Sequence, residues 1–517
     1  RSGHIGVLVV DKSNGKFREI KSFGVAKTDA EADALCLEAN KWIRTYGGQQ
    51  EINFTEPDIK QNEEEETERV LSNIDSLLLN GHQIILNQVY DSIGFNQIQD
   101  SILRHLVIAR ISQPMSKHAT VDYLKSYFDE DVELYKLYRY MDKLYDTQKE
   151  EVQRISVEHT KRILGGHVGL MFYDVTTLYF ETSRTDVLRE SGFSKDGKTS
   201  ESQIVLGLLV SRDGYPLSYC IFNGSQYEGY TMLPIIDDFI QRFFLDDFVV
   251  VADAGLMSKR NVKLLEDAGY KYIIGARIHT ESEQIKEWIL QQDKMPGKFH
   301  EYRYGDNARL ILGYSEERAK KDAHNRDKGV ARLKKAYANG KITKASANKR
   351  GYNKFLEISK DIDVVISEDK IKEDSQWDGL KGYITNTSIT PKEVVEQYHG
   401  LWVVERAFRV TKGNLEARPI FHFTEKRIEA HICICFIAYK VYKELERILK
   451  IAKINKSVDS VLKIAKTIAT IRINMPNNGK VRQETLLLTP AQHSIKPLFD
   501  VQKILDGGKS DDSAPEK

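Results

Sequence analysis

The chain has 517 residues, more than one hydrophobic core can organise, so two to four domains are expected. Its 76 basic and 75 acidic residues leave a formal charge of +1, which excludes attraction to nucleic acid through the global field and confines any such binding to local patches. Four cysteines (Cys36, Cys220, Cys433, Cys435) without a CxxC pair exclude a disulfide framework, and no apolar run suits a membrane span or a leader, so a reducing cytoplasmic setting is expected.

"GVLVVDKSNGKFREIKSFG" alternates apolar and polar residues on either side of Ser13-Asn14-Gly15, a hairpin pattern. Helical spacing follows in "EADALCLEANKWIRTYG". "EPDIKQNEEEETE" then has the composition of a solvated acidic linker, so a small β/α unit is expected over residues 1–68. Residues 69–165 are helical and aromatic-rich ("LRHLVIARIS", "VDYLKSYF", "ELYKLYRYMDKLYDTQKEEVQRI"), which predicts a compact helical domain.

From residue 166 the period changes. "HVGLMFYDVTTLYFE" reads as a buried strand, "IVLGLLVSRDGYPLSYCIFNG" as two strands around an Asp-Gly turn, and "YTMLPIIDDFIQRF" as a helix. After the strand "FVVVADAG", the stretch "SKRNVKLLEDAG" predicts a helix with Ser258 as N-cap, Val262, Leu264 and Leu265 inward, and Gly269 as the stop. "YKYIIGAR" closes the set at 278. Three strands in meander order, then helix, strand, helix and strand, predict an RNase H-like α/β fold, one mixed sheet with flanking helices.

Residues 279–390 read as a β-rich insertion ("RLILGYS", "DVVIS", "GYITNTS"). Within it, residues 318–360 hold 14 Lys or Arg against 3 Asp or Glu, a local net of +11. Lys334 and Lys335, with Tyr337 and Tyr352 nearby, are candidates for contact with DNA phosphates. The last helices of the core are expected over 391–470. Residues 471–517 are a C-terminal segment whose end, "DGGKSDDSAPEK", has the composition of a disordered tail.

Asp174 is read as ending one strand and Asp253 another. In a sheet of this order those strands are neighbours, with both carboxylates at one edge. Alone, an Asp at a strand end serves as a turn or cap residue; the pair points further. In "TPKEVVEQYHGLWVVERAFRVTK", Thr390, Pro391 and Glu393 form a capping box that marks a helix start. Read as one helix, the stretch brings Tyr398, Glu405 and Lys412 within about 40° of one another. Three carboxylates at one edge suit a pair of Mg²⁺ ions, which can drive in-line phosphoryl transfer. His431, Cys433 and Cys435 do not make a zinc site, because residues two apart on a helix point about 200° from each other. Gly207, Gly214 and Gly224 match no phosphate-binding loop.

At these residues the chain resembles DDE-type insertion-sequence transposases of the group marked by a Tyr-(2)-Arg-(3)-Glu-(6)-Lys signature. Here it reads "YHGLWVVERAFRVTK", with Tyr398, Leu401 in the arginine position, Glu405 and Lys412. "YDVTTLYFE" and "VVVADAGL" resemble the first and second aspartate motifs, and the likeness extends over about residues 70–490. The resemblance implies that Asp174, Asp253 and Glu405 bind divalent metal (two Mg²⁺, with Mn²⁺ able to substitute) and that Tyr398 and Lys412 contact DNA phosphate. With Leu401 in place of arginine, that phosphate contact is lost or passes to Arg406 or Arg409. In relatives that cut through a hairpin an aromatic stacks on a flipped base; Trp377 or Tyr383 would do so here, and core or edge packing is the alternative.

The implied partners are double-stranded DNA at element ends and target, and a second copy in a synaptic homodimer, in the nucleoid of a bacterial cytoplasm. Residues 69–165 are the candidate for recognising element ends. Two other readings stand beside this one. A phosphatase or nuclease would use Asp174 as nucleophile, although Thr176 holds the place of the second aspartate such phosphatases need, and a catalytically silent DNA-binding protein derived from a transposase would keep the fold alone.

Overall fold

The computed structural model describes residues 3–13, 15–46, 67–69, 71–194, 197–198, 200–243, 248–256, 258–343, 348, 351–358, 364–475 and 480–507. The chain divides into two compact units, Arg1–Ser76 with Arg472–Gln483, and Leu77–Ile471 with Glu484–Lys517. Most of the acidic linker and the end of the tail lie outside the described residues, as does part of the basic segment.

In the first unit, strands β1 (Ile5–Asp11) and β2 (Arg18–Ala26) form the expected antiparallel hairpin, followed by the helix Asp29–Thr45. Thr28 caps that helix by accepting from the Glu31 amide at 3.3 Å. β3 (Ile74–Leu78) comes next along the chain.

The second unit is built on β4 (Leu170–Tyr179), β5 (Gln203–Ser211), β6 (Pro216–Asn223), β7 (Val249–Ala252), β8 (Lys271–Ala276), β9 (Phe299–Tyr304) and β10 (Ala308–Tyr314). A small ribbon, β11 (Leu356–Ile358) and β12 (Val364–Ile366), precedes β13 (Leu380–Thr385); β14 (Ala469–Asn474) and β15 (Val481–Leu486), each with residues in both units, end the series along the chain. Eight strands make one mixed sheet in the order β6-β5-β4-β7-β8-β13-β10-β9, and three make a separate sheet in the order β15-β14-β3. β4, β5 and β6 pair antiparallel, while β4, β7 and β8 pair parallel. This is the RNase H-like arrangement the element order predicts.

The central strands are apolar throughout because the sheet is covered on both faces. Alternate residues divide between two cores. Phe172, Leu178, Leu206, Val251, Ile273 and Tyr383 face one, and Met171, Tyr173, Val205, Val250, Ile274 and Ile384 face the other. The helices Met232–Phe243 and Lys259–Asp267 cover the second face. Ser258 caps the latter through the Asn261 amide at 3.1 Å, and Val262 and Leu265 point inward. Leu264, expected inward, is exposed because the helix buries one stripe only.

The structure adds three things to the sequence reading. The helices of the stretch 69–165 pack along the 27-residue helix Glu425–Ile451 and share one apolar cluster with the sheet. Ion pairs rim that contact, Lys149 to Glu429 at 2.6 Å and Lys426 to Asp146 at 2.7 Å. The exposed Lys426–Asp146 pair contributes less than about 1 kcal/mol, against about 1.5–3 kcal/mol for each large apolar side chain buried, so apolar packing fastens the helices and the half-buried Lys149–Glu429 pair adds to it.

The segment 279–390 supplies five of the strands, β9 to β13, as expected of a β-rich insertion. β13, β10 and β9 extend the main sheet beyond β8, with Gly382 opposite Ala276 and Tyr383 opposite Gly275, and much of the basic stretch is a single helix, Glu316–Ala338. Finally, 391–412 is two helices, Pro391–His399 and Trp402–Lys412. Among the described residues no helix is long and apolar enough to cross a membrane.

Candidate active site

β4 and β7 run parallel with Tyr173 opposite Ala252, so the next residue of each chain is an aspartate, Asp174 and Asp253, side by side in register. Asp174 does not end its strand, as the sequence suggested. β4 continues to Tyr179 because its other neighbour, β5, goes on pairing with it after β7 has stopped. Asp174 has the parity of Phe172 and Leu178, and so belongs to the face covered by the helix Trp402–Lys412.

Past β7, the backbone around Asp253 is held from several sides. The Leu256 amide donates to the Asp253 carbonyl at 3.0 Å. Arg277 donates to the carbonyls of Ala254 and Gly255, each at 2.7 Å. The Asp253 carboxylate is exposed, and its Oδ1 accepts from the Tyr398 hydroxyl at 2.8 Å. Burial, with the neighbouring Asp253 charge, pushes the Tyr398 hydroxyl far above the usual phenol range, so Tyr398 acts as a donor.

Gly275 on β8 makes this contact possible. A Cβ there would lie 2.5 Å from the Tyr398 hydroxyl. Gly400 has a similar role, since a Cβ there would meet Phe172 at 2.4 Å. It sits in the turn between the two helices, where amides bond three residues back (Leu401 to Tyr398, Val403 to Gly400, Val404 to Leu401). This tighter winding changes the rotation per residue, so the single-helix reckoning that aligned Tyr398, Glu405 and Lys412 does not hold across it. Tyr398 is buried, Glu405 exposed and Lys412 half-buried.

Glu405 and Asp253 both act electrostatically on Lys381. Its ammonium lies 4.4 Å from the centre of the Tyr398 ring and 5.5 Å from that of Tyr383. Burial lowers the Lys381 pKa while these two carboxylates oppose that shift. A further acid, Glu228, borders the site: a Cβ on Gly255 would be 3.8 Å from an oxygen of Asp253 and 3.8 Å from one of Glu228. Lys381, Gly275, Arg277 and Glu228 were not singled out from sequence. No local motif marks them, because each enters through a long-range pairing.

The other candidates divide. Arg406 is held by Glu446 at 3.0 Å, and thus turned to the helix Glu425–Ile451, whereas Arg409 is exposed. Tyr383 is 3 % exposed with its ring edge-on to Tyr398 at 4.8 Å, so it packs inside and offers no face to a base. Trp377 is half-buried against His279 at 4.6 Å, in a depression shared with Arg318, Asp322 and Tyr352. Lys334 and Lys335 are exposed, and Lys334 pairs with Glu368 at 3.2 Å. Cys433 and Cys435 are buried within the long helix.

The donors at this edge are hard carboxylate oxygens, the type that suits Mg²⁺ or Mn²⁺. Asp174 and Asp253 fit such an ion by chemistry and register. Among the described residues, no three His, Cys, Asp or Glu side chains are disposed to hold one metal ion together.

An RNase H-like sheet with two aspartates abreast at the tip of its parallel pair is the scaffold of a nucleic-acid-processing enzyme class. The family described as "Transposase DDE domain" matches residues 169–440, more than half of the chain. The chain belongs to this family and is a DDE transposase. Among solved structures it is similar to a piggyBac transposase synaptic complex with hairpin DNA, at 9 % identity over 81 % of this chain and 74 % of that one, with a TM-score of 0.37. That likeness is too distant to carry anything further. No curated protein matches the chain in sequence.

Proposed function

We propose that the chain is a metal-dependent DNA transposase that cleaves the ends of an insertion sequence and transfers them to a target, a cut-and-paste reaction in a bacterial cytoplasm. The observation that carries this reading is the register of β4 on β7, which sets Asp174 beside Asp253 within the residues matched to the transposase domain. Asp174 and Asp253 would hold Mg²⁺, with Glu405 as the third ligand. Divalent ions held there would supply the Lewis acidity that phosphodiester cleavage needs.

The remaining roles fall to the chain's own groups. Tyr398 fixes one oxygen of Asp253 by its hydrogen bond, which leaves the other oxygen as the metal ligand. Lys412 and Arg409, on the same helix as Glu405, would contact backbone phosphate. Lys381, which feels both Asp253 and Glu405, would add positive charge for the scissile phosphate. Trp377 is the remaining aromatic for stacking on a displaced base, and a homodimer would bring two ends together.

The test is incubation of the protein with Mg²⁺ or Mn²⁺ and DNA carrying the ends that flank its gene. Asp253→Asn is expected to abolish strand cleavage while DNA binding persists. Cleavage that survives the substitution rejects the assignment, and binding without cleavage by either protein favours a silent DNA-binding descendant.

A further inference from the structure

A second group of basic side chains involves none of these acids. It forms where the helix Ser101–Ser112 packs on the helix Glu425–Ile451 and on the start of the helix Lys117–Phe128. Arg110, Lys117, His422 and His431 are 6, 4, 8 and 4 % exposed. The rings of His422 and His431 are 5.4 Å apart. Arg110 spends one terminal nitrogen on the Met115 carbonyl at 3.0 Å, and its Nε has no partner. His431 has Nε2 3.1 Å from the Ala417 carbonyl, and its Nδ1 has no partner.

The charges that reach these groups are almost all positive. Lys117 feels Arg110; His422 feels Lys117, Arg110 and Arg427; His431 feels Arg110, Lys117 and His422. Among the described residues, no carboxylate is a cause of the shift in any of the three. Arg427 is already engaged by Asp142, at 3.1 and 3.2 Å. Burial and these neighbours bring Lys117 down to about 7 and His422 to about 3. Arg110 cannot relieve the repulsion by giving up its proton. Buried positive charge of this kind calls for an anion.

The donors on hand suit one with several oxygens: a guanidinium nitrogen, an ammonium, an imidazole nitrogen and the N-terminus of a 12-residue helix. Phe421 and Phe423, on either side of His422 in sequence, are 57 and 62 % exposed; Arg189 lies over the Phe423 ring at 5.4 Å, which leaves Phe421 to offer an aromatic face to a base just outside.

We propose that Arg110, Lys117, His422 and His431 form a binding site for a phosphate oxyanion, filled by a backbone phosphate of DNA. The site does not depend on the acidic residues or on metal. It is tested on the full chain by thermal unfolding in rising inorganic phosphate, with chloride balancing ionic strength. Tm should climb with phosphate in the wild type, and Lys117→Met, which keeps the length of the side chain and removes its charge, should lose that response.

Ring signals of labelled histidines in the wild type give a reading that does not depend on how the variant folds. Those of His422 and His431 should shift on adding phosphate. If short duplex DNA produces the same shifts and phosphate competes with it, the ligand is the DNA backbone; if phosphate alone acts, the site serves the free ion. Indifference of both Tm and the histidine signals to phosphate overturns the site and leaves a closed core with a neutral lysine.

Discussion

Tyr398 has the clearest single duty in the molecule. Its hydroxyl has one acceptor, Asp253 Oδ1, and the buried ring is wedged between Lys381 and Tyr383. Tyr398→Phe would keep the ring and delete the bond. Hydrogen bonds to charged acceptors contribute about 1.5–3 kcal/mol to stability, so Tm is expected to fall modestly, and cleavage to slow roughly ten- to a hundredfold if the bond also holds Asp253 in its reactive position. A cleavage time course beside a thermal melt checks this, and an unchanged rate would remove Tyr398 from the reaction. The residue was visible in sequence through its spacing to Glu405. Its partner was not, because nothing local to Tyr398 says that Asp253, 145 residues away, accepts from it.

The helices Lys149–Ile163 and Glu425–Ile451 are joined by buried polar groups as well as apolar ones. Lys440, fully buried, donates to the Ser156 carbonyl at 2.9 Å and to the Thr160 hydroxyl at 2.5 Å. Glu444 accepts from Tyr215 at 3.0 Å and Arg447 at 2.6 Å, with His159 at 3.5 Å. Burial pushes His159 down to about 4 although Glu444 opposes it. Burial pushes Glu444 up, but His159 and Arg447 outweigh it and bring the carboxyl to about 2.

Both folded values lie below the ordinary 6.5 and 4.5. Each group therefore contributes stability that is complete above its unfolded value and lost as pH falls through the folded one. His159 acts between pH 6.5 and about 4, and Glu444 between 4.5 and about 2. Urea midpoints are expected to fall from pH 7 to pH 4, and less steeply in His159→Gln. Part of the decline should remain, because His82, His422 and His431 are lowered too. An identical slope in the variant would exclude His159. The two helices were legible from their periodicity; that they pack on one another was not, since periodicity names a buried face without naming what covers it.

At the scale of the whole molecule, a net charge of +1 hides a strongly basic segment. Lys334 and Lys335 stand exposed on the helix Glu316–Ala338. Replacing both with Gln is expected to flatten the dependence of log K on log salt by up to about 1.8, at about 0.9 per phosphate contact. Folding should be nearly unaffected, since the exposed Lys334–Glu368 pair is worth less than about 1 kcal/mol. Binding curves between low and moderate salt decide it, and an unchanged slope takes this helix out of the DNA path. The segment's charge was plain in the sequence, but its place was not. It is carried on an extension of the main sheet, reached through β13 pairing with β8.

The sequence by itself determined the strands and helices of the core, the caps at Ser258 and Thr390, and the two aspartates after apolar runs. All of these follow from residue periodicity and local hydrogen bonding, which act over a few positions. Only the tertiary structure decided that β13, β10 and β9 join the central sheet, that the chain tightens at Gly400, that Arg406 turns to Glu446 and Tyr383 is buried, and that Lys381 feels the charges of both Asp253 and Glu405. Those outcomes depend on which distant surface covers each element, and the free energy that selects the partner comes from burial shared between segments far apart in the chain.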